Sequence, residues 1–259
     1  ITEPRHCHCC QSFNIVRNGR TTQGKQRYKC KDCGVTRVLN PKPPITPESV
    51  AAFERSNSER LSYRAMGRIF KVSHVTVFNH LKKKDRPSGI QDNGFPAQAD
   101  DVLEVDEIFT FIAVKVFQIR IWIVQCRRTR QILAFFIGDG SMESCKALWR
   151  KLPYDYQRCL SLSDFWRAYN CLPEETHTLV GKESGQTNHI ERLNNTLRQR
   201  ISRLVRKTLS FSKREDMLNL HFKWFAFFYN QEIAQFVFNA TKSSIGRPRE
   251  HTLYDIVTA

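Results

Sequence analysis

Three carboxylates and four thiols in this chain have the types and spacing to hold metal ions. Asp106 stands within the apolar run VLEVDEIFTFIAV (102–114), where a carboxylate is costly unless paired or bound to a cation. Asp164 closes RCLSLSD, and Glu191 heads QTNHIERLNNTLRQRISRLVRK (186–207), a stretch otherwise dense in arginine. Three carboxylates drawn together repel unless cations neutralise them, and hard oxygen ligands select Mg²⁺ or Mn²⁺. Two such ions about 3.5–4 Å apart activate a nucleophile and stabilise a leaving oxygen in phosphoryl transfer. A helix N-terminus also favours an acidic side chain, but that accounts for Glu191 alone.

The thiols form two C-x-x-C pairs, Cys7 with Cys10 and Cys30 with Cys33, at the spacing of a four-thiolate zinc site. The cluster HCHCC leaves His6, His8 and Cys9 as alternative ligands; Cys7 and Cys10 preserve the two-residue gap. Between the pairs, VRNGRTTQGKQRYKC predicts two short strands with turns at Asn18-Gly19 and Gln23-Gly24. Arg17, Arg20, Lys25, Arg27 and Lys29 make this ribbon basic. So small a module depends on zinc for its folding energy. Cys126, Cys145, Cys159 and Cys171 are scattered and read as core residues.

The elements that must carry these groups follow from periodicity. PKPPITP (41–47) punctuates the chain as a linker. In SYRAMGRIFKVSHVTVFNHLKKK (62–84), apolar Ala65, Ile69, Val72, Val77 and Leu81, with Ser73 as a cap, predict a helix-turn-helix. Thr76, Asn79, His80 and Lys83 fall on the outer side of its second helix, where DNA would be met. DRPSGIQDNGFPAQAD (85–100) reads as a second linker. From Val102 onward the pattern is three strands, a helix, a strand, a short helix, a strand and two long helices, a ribonuclease H-like order of mixed α/β class. In that sheet Asp106, Asp164 and Glu191 converge at one edge. The expected division is 1–42 ribbon, 46–86 helix-turn-helix, 87–100 linker, 101–235 catalytic domain and 236–259 tail.

Wound at 100° per residue, the last basic helix buries Ile190, Leu193, Leu197, Ile201 and Leu204 on one stripe. Glu191, Asn195 and Arg198 share a flank about a quarter-turn away, with Arg192, Arg203 and Arg206 further round. Glu191 would face metal, Asn195 and Arg198 the scissile phosphate, and the outer arginines the DNA backbone. Lys182, just ahead of the helix, joins the DNA-contact set. Glu104 shares a strand face with Asp106 and could be mistaken for the ligand; Asp106 ranks first. His189 falls on the far side from Glu191 and reads as a phosphate or structural contact.

Composition agrees. Lys and Arg number 41 against 25 Asp and Glu, a net charge of +16, which points to a polyanionic partner, nucleic acid first. A 41% hydrophobic fraction with 18 Phe and 4 Trp excludes a wholly disordered chain. No apolar run approaches a membrane span, the start ITEPRHCHCC has no apolar leader core, and the paired cysteines suit a reducing compartment. A bacterial or archaeal cytosolic setting is expected.

From Cys7 to about Glu232 the chain resembles the DDE transposases of the insertion-sequence-one family. The likeness is carried by CHCC…RNGRTTQGKQRYKCKDCG, LEVDE, SDFWRAY and, most specifically, GKESGQTNHIERLNNTLRQRISRLVRKTLSFSK. It implies a zinc ribbon, holding one Zn²⁺, and a helix-turn-helix that recognise terminal inverted repeats. It also implies a core that releases 3′-OH ends and joins them to double-stranded target DNA with two Mg²⁺ or Mn²⁺ ions. By motif the catalytic triad is Asp106, Asp164 and Glu191, and handling both ends calls for a homodimer or larger assembly. The competing readings are a DNA-binding repressor with an inactive large domain, and a nuclease that cuts without joining.

Overall fold

The computed structural model describes residues 5–39, 45–83, 94–204 and 210–244, with side chains to 239. The chain divides into two compact units, Ile1–Pro47 and Glu48–Ala259.

The first unit is a three-stranded antiparallel ribbon of β1 (Ile15–Arg20), β2 (Gln26–Cys30) and β3 (Thr36–Arg37). Gly24, at φ +79, completes the turn in which the Thr21 N–H donates to the Lys25 carbonyl. Asn18-Gly19, expected to be a second turn, lies inside β1: the register shifts between Arg17 and Arg20, and Gly19 at φ +66 absorbs a bulge. β3 was not foreseen; at two residues it is too short to show periodicity.

The second unit begins with three helices, α1 (Pro47–Ser56), α2 (Tyr63–Ile69) and α3 (His74–Lys83). Ser62 Oγ caps α2 by accepting from the Ala65 N–H, and Ser73 Oγ accepts from the Val75 N–H at the entrance of α3. The tight crossing of α2 and α3 needs Gly67, where a Cβ would come within 2.9 Å of the Val72 carbonyl oxygen. Two expectations fail here. Ile69 is 58% exposed, and Met66, one turn earlier, fills the core place assigned to it. His80 does not project outward but bonds the buried Glu54 of α1 at 3.0 Å, packed edge-on against Phe53.

Residues 94–100, the described part of the second expected linker, are pinned to the following domain. The Phe95 N–H donates to Gln131 Oε1, Tyr156 Oη donates to the Phe95 carbonyl, and the Gln98 N–H donates to Asp101. Asp101 itself is buried and gripped by Arg128 at 2.6 and 2.8 Å.

The sheet that follows has β4 (Val102–Phe111), β5 (Gln118–Cys126), β6 (Ile132–Gly138), β7 (Leu160–Ser163) and β8 (His177–Leu179) in the order β6-β5-β4-β7-β8. The first three run antiparallel as a meander; β7 and β8 add parallel to β4. This is the expected ribonuclease H-like mixed sheet. Both faces are covered, so its strands are apolar nearly throughout rather than alternating. α4 (Met142–Lys151) and the 3₁₀ turn Arg167–Cys171 pack on the face presenting Leu103, Val105, Trp122 and Val124. α5 (Asn188–Arg200) and α6 (Glu215–Ser244) cover the other, packing on Ile108, Ile121, Ile123 and Phe135.

α6 is apolar nearly all round because it is packed on two sides. Leu218, Phe222, Phe225 and Ala226 meet the sheet, whereas Leu220, Trp224, Phe227 and Phe228 close the core of the three-helix bundle with Phe53, Met66, Val77 and Leu81. The Asn230 amide exchanges two 2.9 Å hydrogen bonds with the Ile132 backbone, pinning the start of edge strand β6 to α6. The expected boundary at 235 falls inside this helix, which continues to Ser244. The rest of the expected tail lies outside the described residues.

Candidate functional site

Alternation along β4 assigns each carboxylate a side. Even-numbered Glu104 and Asp106 face α5; odd-numbered Glu107 faces the 3₁₀ turn carrying Tyr169. Asp106 sits at the point where β4 has run past the end of its pairing with β7, which stops at Glu104. Asp164 follows directly on β7, its Oδ1 accepting from the Trp166 N–H at 3.0 Å, an Asx turn that aims the chain away from the sheet. Glu191 lies in the first turn of α5 and is exposed. The three line one recess of about 430 Å³ with Lys182, Asn194, Asn195 and Arg198. Asn195 and Lys182 are exposed at its rim.

Electrostatics mark the recess as short of positive charge. Burial pushes the Asp106 carboxyl up to about 6, and the Asp164 and Glu191 carboxylates push the same way; a Glu107 backbone N–H and Lys182 oppose them. A group left so under-compensated is what a bound cation would correct. Among the described residues, the carboxylates do not crowd as tightly as the thiols do. The donor set is all oxygen, as hard divalent ions require.

Glu104, on the same face, shows the opposite arrangement. Its side chain is wholly buried, yet Arg127 pairs with one oxygen at 2.8 Å and the N–H groups of His189 and Ile190 donate to the other at 3.1 and 3.0 Å. Arg127 also donates to the Gln186 carbonyl, tying down the approach to α5. Glu104 is therefore no open ligand. It holds the N-terminus of α5 against β4 and so places Glu191, one residue beyond Ile190. One helical turn on, Asn194 Nδ2 donates to Asp106 at 2.6 Å. Sequence reasoning chose Asn195 and missed Asn194. The signal was present: position i+3 from Glu191 lies between its flank and the core stripe, the side from which a strand-borne carboxylate must approach.

Further along α5 the expectation changes. Ile190, Leu193, Leu197, Ile201 and Leu204 are buried as foreseen, but the helix stops at Arg200 and a 3₁₀ turn carries Ser202–Leu204. That break swings Arg203 inward, where it donates to Ser212 at 3.3 Å and lies beside Tyr63; burial lowers its pKa. Arg203 is not an outward arginine tracking DNA. Arg206 lies outside the described residues. In the three-helix bundle, Asn79 and Lys83 are exposed on α3 and Thr76 is half-buried, while His80 is taken by Glu54. Arg17, Arg20, Lys25 and Arg27 all stand exposed on the ribbon.

The thiol cluster is closed. The sulfurs of Cys7, Cys10, Cys30 and Cys33 all lie within 4.8 Å of one another, and the Cys7–Cys33 and Cys10–Cys30 separations are 3.6 Å. Four sulfurs at about 2.3 Å from one ion have tetrahedral edges of ~3.8 Å, so the set fits a single structural zinc ion. Backbone N–H groups of Cys10 and Cys9 lower the Cys7 thiol to about 6. At Cys33 the Val35 N–H is outweighed by burial and the other three sulfurs, which push that thiol up to about 12, so the four do not all ionise without a cation. Cys9 lies outside this cluster, His8 bonds the Leu39 carbonyl, and His6 packs on Phe13.

Comparison with known proteins agrees with this geometry. A family model described as IS1 transposase matches residues 101–235, and one described as the InsA N-terminal domain, a zinc ribbon, matches residues 5–34. Insertion element iso-IS1n protein InsB of Shigella dysenteriae is 37% identical over 114 residues, covering 43% of this chain and 83% of the relative. Insertion element IS1 4 protein InsB of Escherichia coli (strain K12) is 30% identical over 135 residues, covering 51% and 77%. A crystal structure of a pre-cleavage Mos1 transpososome aligns over 76% of this chain and 80% of its own at 9% identity with a TM-score of 0.27, too remote to support any argument. The IS1 transposase model spans more than half of the chain, and with the zinc-ribbon model and the InsB relatives it makes the chain a member of the IS1 transposase family.

Proposed function

We propose that this protein binds the terminal inverted repeats of its insertion sequence, cleaves the ends to expose 3′-OH groups, and joins them to target DNA. The observation that carries the reading is the gathering of Asp106, Asp164 and Glu191 from β4, the end of β7 and α5 into one recess rimmed by Lys182, Asn195 and Arg198. Two Mg²⁺ or Mn²⁺ ions held there would supply activation of the attacking oxygen and stabilisation of the leaving one.

The chain's own groups do the rest. Asn194 fixes the rotamer of Asp106, and Glu104 fixes the start of α5, so the ligands are oriented before DNA arrives. Lys182 and Arg198 offer positive charge to the phosphate undergoing displacement. Asn79 and Lys83 on α3, with Thr76, would read the repeat, and the exposed arginines of the ribbon would grip its backbone. Water attacks in the first step and a DNA hydroxyl in the second, at the same recess. Processing two ends together calls for at least a dimer, and the work belongs in the cytosol with the nucleoid. Among the described residues no helix is long and apolar enough to cross a membrane.

The test is a plasmid carrying the gene with its natural flanks, incubated with purified protein and Mg²⁺ or Mn²⁺, beside Asp164→Asn and Glu191→Gln. Metal-dependent 3′-OH breaks at the flanks and joining into a second plasmid, lost in both variants, are expected. Flank binding without cleavage would instead leave a repressor, and cleavage without joining a nuclease.

A further inference from the structure

Beside the carboxylate recess, and sharing Glu107, Asp164 and Lys182 with it, lies a second recess of about 650 Å³ whose walls carry two aromatic rings, Phe165 and Trp166, with Arg120 and the Glu183 carboxylate. Phe165, the residue after Asp164, is 68% exposed. Its ring stands open beside the carboxylate recess, where a ligand could lie against it. The opposite wall is built with care. Trp122 is wholly buried and stacks on Trp166 at 5.1 Å and 14°, and Trp166 in turn carries the Arg120 guanidinium 4.3 Å above its ring. Glu107 pairs with Arg120 at 3.2 Å and Trp122 Nε1 donates to the Asp139 carbonyl, so the stack is fixed from both ends. Gly140 permits it: a Cβ there would meet Arg120 Nε at 3.0 Å and the Trp166 ring at 3.2 Å. At Gly181 a Cβ would meet Glu183 Oε2 at 3.0 Å, so the glycine leaves room for that carboxylate beside Phe165.

We infer that this recess is a nucleobase subsite: Phe165 and the Arg120 plane receive, by stacking, the unpaired base of the nucleotide next to the phosphate held at Asp164 and Lys182. Rings and guanidinium planes stack on any base, and the exposed Lys182 offers a cation to the attached phosphate. A base cannot enter while it is stacked and paired in duplex, so its capture opens the end at the position to be cut. The subsite rests on the function proposed above and adds to it a requirement that the DNA be locally opened.

The experiment uses the full chain and terminal-repeat duplexes carrying 2-aminopurine at single positions on either side of the cleaved phosphate. Wild-type protein is expected to raise fluorescence several-fold at one position only. In Phe165→Trp the indole quenches that rise by direct contact while gel shifts report the complex still formed. In Phe165→Ala the rise is lost and cleavage slows roughly ten-fold. Cleavage by wild-type protein with flat fluorescence at every position, or a rise that Phe165→Trp leaves unquenched, overturns the subsite alone. A wild-type protein that cleaves no end overturns the function beneath it, and the subsite with it. Phe165 is a surface side chain, so neither substitution threatens the fold.

Discussion

The ribbon and the sheet are stabilised by different physics. Among the described residues of the first unit, only Cys7 and Cys30 are buried, and both belong to the thiol cluster. The second unit buries three apolar clusters, one on each face of its sheet and one beneath the helix-turn-helix. The first therefore has no core apart from its thiols, and the second has no need of metal to fold. The contrast reappears inside β4: Glu104 is fully compensated and serves architecture, whereas Asp106, two residues on, is left under-compensated for chemistry.

The largest effect that would test this contrast is removal of zinc. Chelation, or Cys30→Ser, should unfold residues 5–39 outright, a loss on the order of 10 kcal/mol of binding-coupled folding, while the second unit keeps its thermal transition. Amide spectra before and after chelation check it; a second unit that melts too would break the comparison. Next in size is Glu104→Ala, which strands the Arg127 charge and two helix N–H groups. It should cost roughly 3–5 kcal/mol by denaturant unfolding, with Glu104→Gln, which keeps an acceptor, costing less. If Glu104→Ala unfolds no more easily than wild type, Glu104 is not architectural.

The smallest is a pH effect at the seam between α2 and α6. His221 is buried against the Tyr63 ring at 5.2 Å, beside Arg203, with Arg64, His74, Lys213 and Arg214 around the neighbouring recess. Burial and then Arg203 depress its pKa to about 3, against 6.5 when unfolded. As pH falls below 6.5 the unfolded chain binds a proton the folded one refuses. Stability is thus complete above that pH and is lost progressively down to about 3. Between pH 6.5 and 5 the loss should be roughly 1.5–2 kcal/mol, and His221→Phe should flatten it. Equal slopes for the two proteins would remove His221 from the account.

What the sequence disclosed follows the same division. Strong local signals were legible: β4, β5 and β6 as apolar runs, the core stripe of α5 and the paired thiols by their spacing. Asp106 and Asp164 were legible because a carboxylate within or ending an apolar strand calls for an explanation. Properties set by a distant partner were not. His80 is drawn inward by Glu54, 26 residues away, and Asn194 reaches Asp106 across 88. Arg203 turned inward because α5 ends at Arg200, and the apolar stripe running on to Leu204 concealed that stop. The bonds that pin residues 94–100 of the second expected linker were hidden for a similar reason, since polar composition does not show the backbone groups of Phe95 meeting Gln131 and Tyr156.

α5 has one end at the carboxylates and the other at a charged joint. Arg200, its last residue, pairs with Glu232 of α6 at 2.8 Å and with Glu59 in the loop after α1. Thirteen residues span about 20 Å, so the helix forms a stiff rod between the three-helix bundle and the carboxylate recess. On the function proposed above, a shift at the joint would be carried along the rod to Glu191. Damage to Glu59 or Glu232 should therefore show first as misplaced breaks at otherwise well-bound ends.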